Sequence, residues 1–224
     1  MSFVSGTVSC LVYRVTEPPP RDFHEKSQKS LARLAFRPIN VGKGEDRASG
    51  WVNPLDVLTT EIKLDRLLHG EFLYLGVRID KKSPSRAVLN ARIQSTIAER
   101  LKDGQRKRLS ADERRAIQSE AKAKLLAETS PSTAIHEILW NYEGGWLYST
   151  ATSVTASNEF LDLFASTFEL EIVPMLPYTY AETWAEEQKL SEALESASPA
   201  IFSRARRSNI PVAEPFPLPG GKEA

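Results

Sequence analysis

The change of hydrophobic period between residues 71 and 142 constrains the fold of this chain more than any other feature. Residues 71–79 and 134–142 are rich in β-branched and aromatic residues, which is typical of strands. Between them, from Leu89 to Leu101, apolar residues recur at every fourth position, which is the spacing of one face of an α-helix. The pattern therefore predicts a helical element that protrudes from a sheet.

The helical stretch is predicted to form two antiparallel helices, a helical hairpin. Ser83-Pro84 has the pattern of an N-cap followed by proline at the first helical position, and Gly104 is a natural helix end. A second helix is indicated by the capping box Ser110-x-x-Glu113, in which the two side chains satisfy each other's backbone N–H groups. The expected apolar stripe of this second helix comprises Ile117, Ala121 and Leu125.

Strand and helix patterns in the rest of the chain complete the arrangement. The strands at 134–142 and 146–153 flank Glu-Gly-Gly, which is a strong hairpin signal. The other predicted elements are a strand at 3–16, a helix at 22–36, a helix starting at Ser157, a strand at 169–176 and a polar helix after residue 181. We therefore expect an α+β fold: a mainly antiparallel sheet with packed helices and a protruding basic helical hairpin.

Four parts of the chain follow from this order. Residues 1–80 form the N-terminal part of the α+β core, 81–128 the basic helical hairpin, and 129–180 the C-terminal part of the core. Residues 181–224 comprise the polar helix and a proline-rich tail. The composition of that tail, NIPVAEPFPLPGGKEA, is typical of disorder.

Three features favour a cytoplasmic protein with no membrane partner. No apolar run approaches the roughly 20 residues that span a bilayer, and the first residues lack the pattern of a signal peptide. The single cysteine, Cys10, allows no disulfide within the chain and fits a reducing compartment. Its place in a strand pattern predicts a small apolar residue of the core rather than a reactive thiol.

The charge distribution is uneven although the formal net charge is zero. From Lys81 to Lys124 thirteen basic residues stand against five acidic ones, a balance of +8, so the rest of the chain carries −8. Such asymmetry favours a polyanionic partner. The alternative is a solvated helix surface, but such surfaces usually carry glutamates four residues from their basic residues, and that balance is missing from the sequence pattern.

The residues expected to contact a polyanion lie in the predicted hairpin and beside it. On a helical projection Arg92 points away from the first apolar stripe, and Arg115 and Lys122 share the face opposite Ile117. A nucleic acid bound through its phosphates, without readout of the bases, is a polyanion of this kind. The candidate contact residues, which the resemblance described below assigns to DNA binding, are Lys81, Lys82, Arg92, Arg106, Lys107, Arg108, Arg115 and Lys122. An interaction or oligomerisation module whose hairpin binds an acidic protein is the alternative from a different class.

Catalysis is not expected, and neither is a cofactor or a bound metal. The sequence contains no P-loop, G-x-G-x-x-G or G-x-S-x-G motif, and its three histidines are too scattered for a metal site. Asp56 followed by Glu61-Ile62-Lys63 has the residue types of a metal-dependent nuclease, in which carboxylates hold the ion and lysine orients water. The short gap and the frequency of E-x-K by chance make a nuclease the weaker alternative.

An ordered set of segments resembles the RdgC (recombination-associated protein) family, as a shortened or divergent member. The set begins with "SLARLAFRPI" and "GWVNP", continues with a K-K-x-P start to the hairpin and "KLLAE" at its end, and closes with "EILWNYEGGWLYSTATSVTASNEFLDLF" and "ELEIVPMLP". The likeness runs over residues 4–178. Where the family has a tip segment with basic and aromatic residues, this chain has "ETSPSTA" at 128–134.

The resemblance implies a function as well as a fold. RdgC proteins are cytoplasmic or nucleoid-associated bacterial proteins that bind duplex DNA with little sequence preference. They form ring-like dimers around a basic hole and restrain RecA-type strand exchange. The resemblance thus implies DNA as partner, a homodimer or other homo-oligomer, and antagonism of a recombinase. The eight candidate residues fall in the corresponding basic hairpin region.

Overall fold

The computed structural model describes residues 2–4, 6–59, 61–104 and 108–197. Its strands are β1 (Leu11–Val15), β2 (Arg47–Val52), β3 (Leu68–His69), β4 (Phe72–Lys81), β5 (Ser132–Asn141), β6 (Trp146–Ser149) and β7 (Ile172–Pro174). Its helices are α1 (Phe23–Arg33), α2 (Arg86–Asp103), α3 (Ala111–Glu128), α4 (Val154–Phe168), α5 (Pro177–Gln188) and α6 (Ser191–Glu195). Two 3-10 turns cover Val41–Lys43 and Leu64–Arg66.

The strands form an antiparallel sheet in the order β2-β4-β5-β6-β1-β7, with β3 paired to β4. A ladder of ten residue pairs joins β4 and β5, from Phe72 opposite Asn141 to Lys81 opposite Ser132. The predicted hairpin between β5 and β6 is present, and Gly145 takes the left-handed conformation (φ 72°) that its turn requires. The expected α+β class with a mainly antiparallel sheet is confirmed.

Aromatic side chains join one face of the sheet to α1 and α4. The fully buried Trp140 of β5 meets Phe23 of α1 and Phe164 and Phe168 of α4 edge-on, at centroid distances of 5.4, 5.2 and 5.2 Å. Each such edge contact adds about 0.5–1.5 kcal/mol to the stabilisation by burial. The indole N–H of the fully buried Trp51 donates to a threonine hydroxyl of α4 at 2.7 Å. These contacts form the centre of the hydrophobic core.

The sequence patterns missed β2, which mixes arginine, serine and glycine with its apolar residues. On the side away from β4, its Trp51 accepts from the N–H of Phe36 at 2.9 Å and donates to the carbonyl of Leu34 at 3.0 Å. A Cβ added to Gly50 would lie 2.5 Å from the Cα of Phe36, so only glycine allows this close backbone approach. A strand whose position depends on close contact between backbones needs few alternating apolar and polar residues. The pattern that predicts strands is therefore weak in β2.

The first helix of the hairpin starts later than predicted. It begins at Arg86 with Ser85 as its N-cap, rather than at Ser83-Pro84, and the Ser85 side chain makes no capping hydrogen bond. The N–H of Lys82 donates to the carbonyl of Asp46 at 2.8 Å, which keeps the chain extended beyond β4. The helix therefore begins two residues after the proline instead of at it.

Several further boundaries were predicted wrongly: α1 ends at Arg33 rather than at residue 36, β6 ends at Ser149 rather than at residue 153, and β7 covers only Ile172–Pro174 of the expected strand 169–176. β1 covers residues 11–15 of the expected strand 3–16, because Gly6 (φ 79°) turns the chain before it. α4 begins at Val154 rather than near Ser157, since the side chain of Ser153 accepts from the N–H of Ala156 at 3.3 Å and forms the N-cap. Cys10, expected within the strand, precedes β1 and is half-buried, and burial raises the pKa of its thiol.

The chain divides into two compact units, residues 1–180 and 181–224. The second unit is described as far as residue 197 and contains the end of α5 and all of α6, so the predicted polar helix is two short helices. The proline-rich tail at 209–224, predicted to be disordered, lies outside the described residues. Within the described part of the chain, no helix has the length and apolar character needed to cross a membrane.

Candidate nucleic-acid interface

The helical hairpin is inserted between two neighbouring strands. α2 follows β4, α3 leads into β5, and the ladder of these strands is paired as far as Lys81 and Ser132. The two helices pack against each other, and the start of their connection at Gly104 and the capped start of α3 are as predicted. The hairpin is therefore an extension of a β-hairpin connection.

Lys82 supports the root of the hairpin. Its ammonium group donates to the carbonyl of Leu126 at 2.9 Å, in the last turn of α3, where backbone carbonyls lack helical partners. A cation at this end of a helix also interacts favourably with the helix dipole. The ammonium group of Lys82 is therefore bound within the protein, whereas the neighbouring Lys81 is exposed at the end of β4.

A buried ion pair lies close to this root. The guanidinium of Arg78 donates from Nε and Nη2 to the carboxylate of Asp80, both at 2.9 Å, and it stacks over the ring of Phe36 at 4.3 Å. Burial alone would raise the pKa of Asp80, but hydrogen bonds from Arg78 and Thr133 and the arginine charge together lower it. Asp80 therefore stays ionised near neutral pH and holds the ends of β4 and β5 together.

The two helices of the hairpin differ in burial. In α3 the predicted stripe of Ile117, Ala121 and Leu125 is buried, and both hydrogen bonds of the capping box are formed. α2 has no buried residue, and its four predicted stripe residues, Leu89, Ile93, Ile97 and Leu101, are half-buried. The hairpin is thus a pair of helices in which α3 is anchored and α2 covers only one of its sides.

The groove between the helices is balanced in charge. Arg92 of α2 bonds both carboxylate oxygens of Glu128 at 3.0 Å, and Glu120 of α3 lies 2.8 Å from Lys124 and 3.5 Å from Arg100. The hydrogen bond from Lys124 and then its charge lower the pKa of Glu120. The expectation that acidic partners are missing from the hairpin is therefore wrong on this side. α2 and α3 supply partners to each other, and Glu120 also pairs with Lys124 four residues later within α3.

The other side of α3 has a different charge pattern. We call it the outer face, and it comprises Arg108, Arg114, Arg115 and Lys122. Its three arginines line a shallow depression of about 510 Å³ together with Leu109, Ala111 and Gln118. Among the residues that the structure describes, Arg108, Arg114 and Lys122 have no acidic group within 4.0 Å, and Arg115 lies 3.9 Å from an exposed aspartate. The depression is a basic concavity suited to an anion.

The eight sequence-predicted residues therefore divide into groups. Arg108, Arg115 and Lys122 lie together on the outer face, and Lys81 is exposed at the root. Arg92 is engaged by Glu128 and Lys82 by Leu126. Arg106 and Lys107 lie outside the described residues. The sequence prediction missed Arg114, which borders the same depression as Arg108 and Arg115; its signal was its place beside Arg115 in the first turns of α3.

The nuclease-like residues have partners close in sequence. Glu61 and Lys63 are exposed and pair with each other at 3.1 Å, and Asp56 accepts from the Thr59 hydroxyl at 2.5 Å. In the described ranges, no three His, Cys, Asp or Glu side chains are grouped as metal ligands.

Comparison with known families gives a direct assignment. The family model described as "Putative exonuclease, RdgC" matches residues 9–209. Comparison with curated proteins gives no match. The family match extends over the sheet, the helical hairpin and the helices of the core, so the chain belongs to the RdgC family.

Proposed function

We propose that this protein binds double-stranded DNA without sequence preference through the outer face of its hairpin, and that it modulates recombination without catalysis. Membership of the RdgC family supports a recombination-associated protein. The observation that carries the proposal is the separation of charges on the hairpin. The groove neutralises its own cations, whereas the outer face leaves Arg108, Arg114 and Lys122 without described acidic partners.

Unpaired arginines and lysines suit a phosphate backbone for a simple reason. Each cation that neutralises a phosphate releases condensed counterions, so binding gains entropy without any contact to the bases. Arginine also offers paired N–H donors to phosphate oxygens. The guanidinium groups of Arg108, Arg114 and Arg115 border one concave surface, so they can contact neighbouring phosphates together. Arg106 and Lys107, which the sequence predicts to bind DNA, lie outside the described residues and remain part of the proposed set.

The salt dependence of binding to a duplex of arbitrary sequence tests the proposal. We expect log K to fall by several units per unit of log salt, with about 0.9 of that slope from each neutralised phosphate. R114E/R115E/K122E should weaken binding equally on unrelated sequences and reduce the slope. The matched control is R21E/R37E/R66E, which makes the same change in charge at exposed sites away from the hairpin. Flat salt dependence, or equal losses in both variants, would contradict DNA binding through the outer face.

Assembly and partners are a further part of the proposal. Two or more copies would surround or coat the duplex, and a recombinase would then be hindered from exchanging strands on the covered DNA. A cytoplasmic protein associated with the nucleoid follows from this role. Size-exclusion chromatography with light scattering, with and without duplex, measures the assembly. A strand-exchange assay with a RecA-type recombinase measures the antagonism, which should be lost in R114E/R115E/K122E.

Exonuclease activity is a second candidate, favoured by the description of the matching family. Digestion of a duplex labelled at one end, with and without Mg²⁺, distinguishes it from binding alone. We expect no cleavage. Cleavage that requires Mg²⁺ and is lost in Glu61→Gln would replace the proposed function with a nuclease. A hairpin that binds an acidic protein but no DNA would instead support the interaction-module alternative.

A further inference from the structure

The second unit carries a concentrated acidic surface. Between residues 182 and 195 five glutamates stand against one lysine, a balance of −4 over fourteen residues. All five, Glu182, Glu186, Glu187, Glu192 and Glu195, are exposed. We call residues 182–195 the acidic segment, and it comprises most of α5 and all of α6.

The glutamates of the acidic segment lack cationic partners among the described residues, since no described ion pair includes any of them. Glu182 and Glu186 are one helical turn apart in α5, a spacing at which like charges repel. The lysine of the segment, Lys189, follows the end of α5 in a left-handed conformation (φ 58°). Within the described residues, the carboxylates are therefore not neutralised by a cation.

We infer that the acidic segment of one copy docks on the outer face of a second copy and competes there with DNA. The argument is charge complementarity. The acidic segment presents closely spaced carboxylates, and the outer face presents cations that the rest of the described chain does not neutralise. Carboxylates on a helix offer an arginine the same planar, bidentate contacts that a phosphate offers. The partner that we propose for this surface is a second copy of the chain.

The overall charge of the protein favours such contacts between copies. The formal net charge is zero, so two copies experience no net repulsion as they approach. At low salt the attraction between the basic hairpin and the acidic segment then governs the encounter, whereas salt screens it within about 10 Å at 0.1 M. The consequence is a protein that shields its own DNA-binding surface until DNA displaces the acidic segment. Only this competition rests on the proposed function.

The test is the mass of the full chain by size-exclusion chromatography with light scattering at about 0.05 M and about 0.5 M NaCl. We expect a mass above the 25.0 kDa of one chain at low salt that decreases at high salt. E182K/E186K/E187K should abolish the increase in mass that depends on salt. The matched control E71K/E143K/E171K changes the same number of exposed glutamates elsewhere and should preserve it. Combining E182K/E186K/E187K with R114E/R115E/K122E should restore association, because both charges are then exchanged.

A mass that salt does not change, or equal effects of the two glutamate variants, would overturn the inference. The addition of a short duplex to the low-salt assembly distinguishes the inference from the proposed function. If the duplex dissociates the salt-dependent assembly, both the inference and the proposed function are supported. If no duplex binds while the association responds to salt and to charge exchange as described, DNA binding is excluded and the contact between copies stands.

Discussion

The α+β body and the helical hairpin of this protein bury their apolar residues to different degrees. In the body, Trp51, Trp140 and Phe164 are fully buried between the sheet and its helices. In the hairpin, α3 buries Ile117 and its neighbours, but α2 buries nothing completely. The body is therefore stabilised by extensive hydrophobic burial, whereas the hairpin depends on the smaller buried stripe of α3 and on its attachment at the root.

This difference in burial explains why the hairpin, rather than the body, is suited to present charged side chains. A segment with few buried contacts opens locally at a lower free energy than the core of its domain. Such a segment can present charged side chains on both sides, which a buried element cannot. The body in turn fixes where the hairpin starts and ends. Four substitutions test this comparison, in order of decreasing effect.

The largest loss of stability is expected in the body. Phe164→Ala should lower the free energy of unfolding by about 4 kcal/mol, because it removes a fully buried ring and leaves a cavity beside Trp140. Leu101→Ala on the half-buried stripe of α2 is the comparison, and we expect less than half that loss. Urea denaturation followed by circular dichroism measures both. Similar losses would show that the hairpin is as tightly packed as the body.

The second effect concerns the ion pair at the root. Asp80→Asn should destabilise the protein by about 3 kcal/mol near neutral pH, because it leaves the half-buried Arg78 without its anionic partner. The pKa of Asp80 is lowered in the folded state, so its contribution is present above the ordinary value of 3.8 and is lost as pH falls through the lower folded value. The gap in stability between wild type and variant should therefore narrow at acidic pH. A gap that does not depend on pH would contradict the ionised role of Asp80.

The third effect is local to the hairpin. Ile117→Ala should destabilise the hairpin by about 2 kcal/mol, at the low end for such a truncation, because its partner helix is half-exposed and can adjust. Hydrogen exchange measured by mass spectrometry should show faster exchange in α2 and α3 and unchanged exchange in β4. Equal acceleration in β4 would mean that hairpin and sheet unfold as one unit.

The smallest effect concerns the start of α3. Ser110→Ala removes the side chain that accepts from the N–H of Glu113 at 3.1 Å and should cost the hairpin about 1 kcal/mol. Ser119→Ala, at an exposed site within the same helix, is the control and should change exchange little. Hydrogen exchange of the first turn of α3 measures the difference. Indistinguishable variants would show that Glu113 alone is sufficient to cap the helix.

Much of the fold could be predicted where the signals are local. The capping box at Ser110, the stop at Gly104 and the hairpin turn before Trp146 depend on residues close in sequence, and all three are present. β2 could not be predicted, because Gly50 is required by the approach of Phe36, a contact between segments distant in sequence. Periodicity reports which face of an element is apolar, but it does not report backbone approach.

The candidate site shows the same limit. The sequence identifies a basic hairpin, yet composition alone cannot show that Arg92 pairs with Glu128 thirty-six positions later. Lys82 and Arg114 illustrate opposite errors, since one expected DNA contact supports the root and one unexpected residue borders the basic depression. Pairing between α2 and α3 decides which cations remain available, and that depends on how the two helices face each other.

The ten-pair ladder between β4 and β5 has a consequence for how proteins of this architecture can diverge. Because the two strands are neighbours, the hairpin leaves and re-enters the sheet at almost the same point. One helical turn added to each of α2 and α3 would lengthen the hairpin by about 5.4 Å without altering strand register. The sheet is then a fixed base and the hairpin an arm of adjustable length. The distance that the hairpin extends towards a large ligand can be changed by equal insertions or deletions in α2 and α3, without any change in the core.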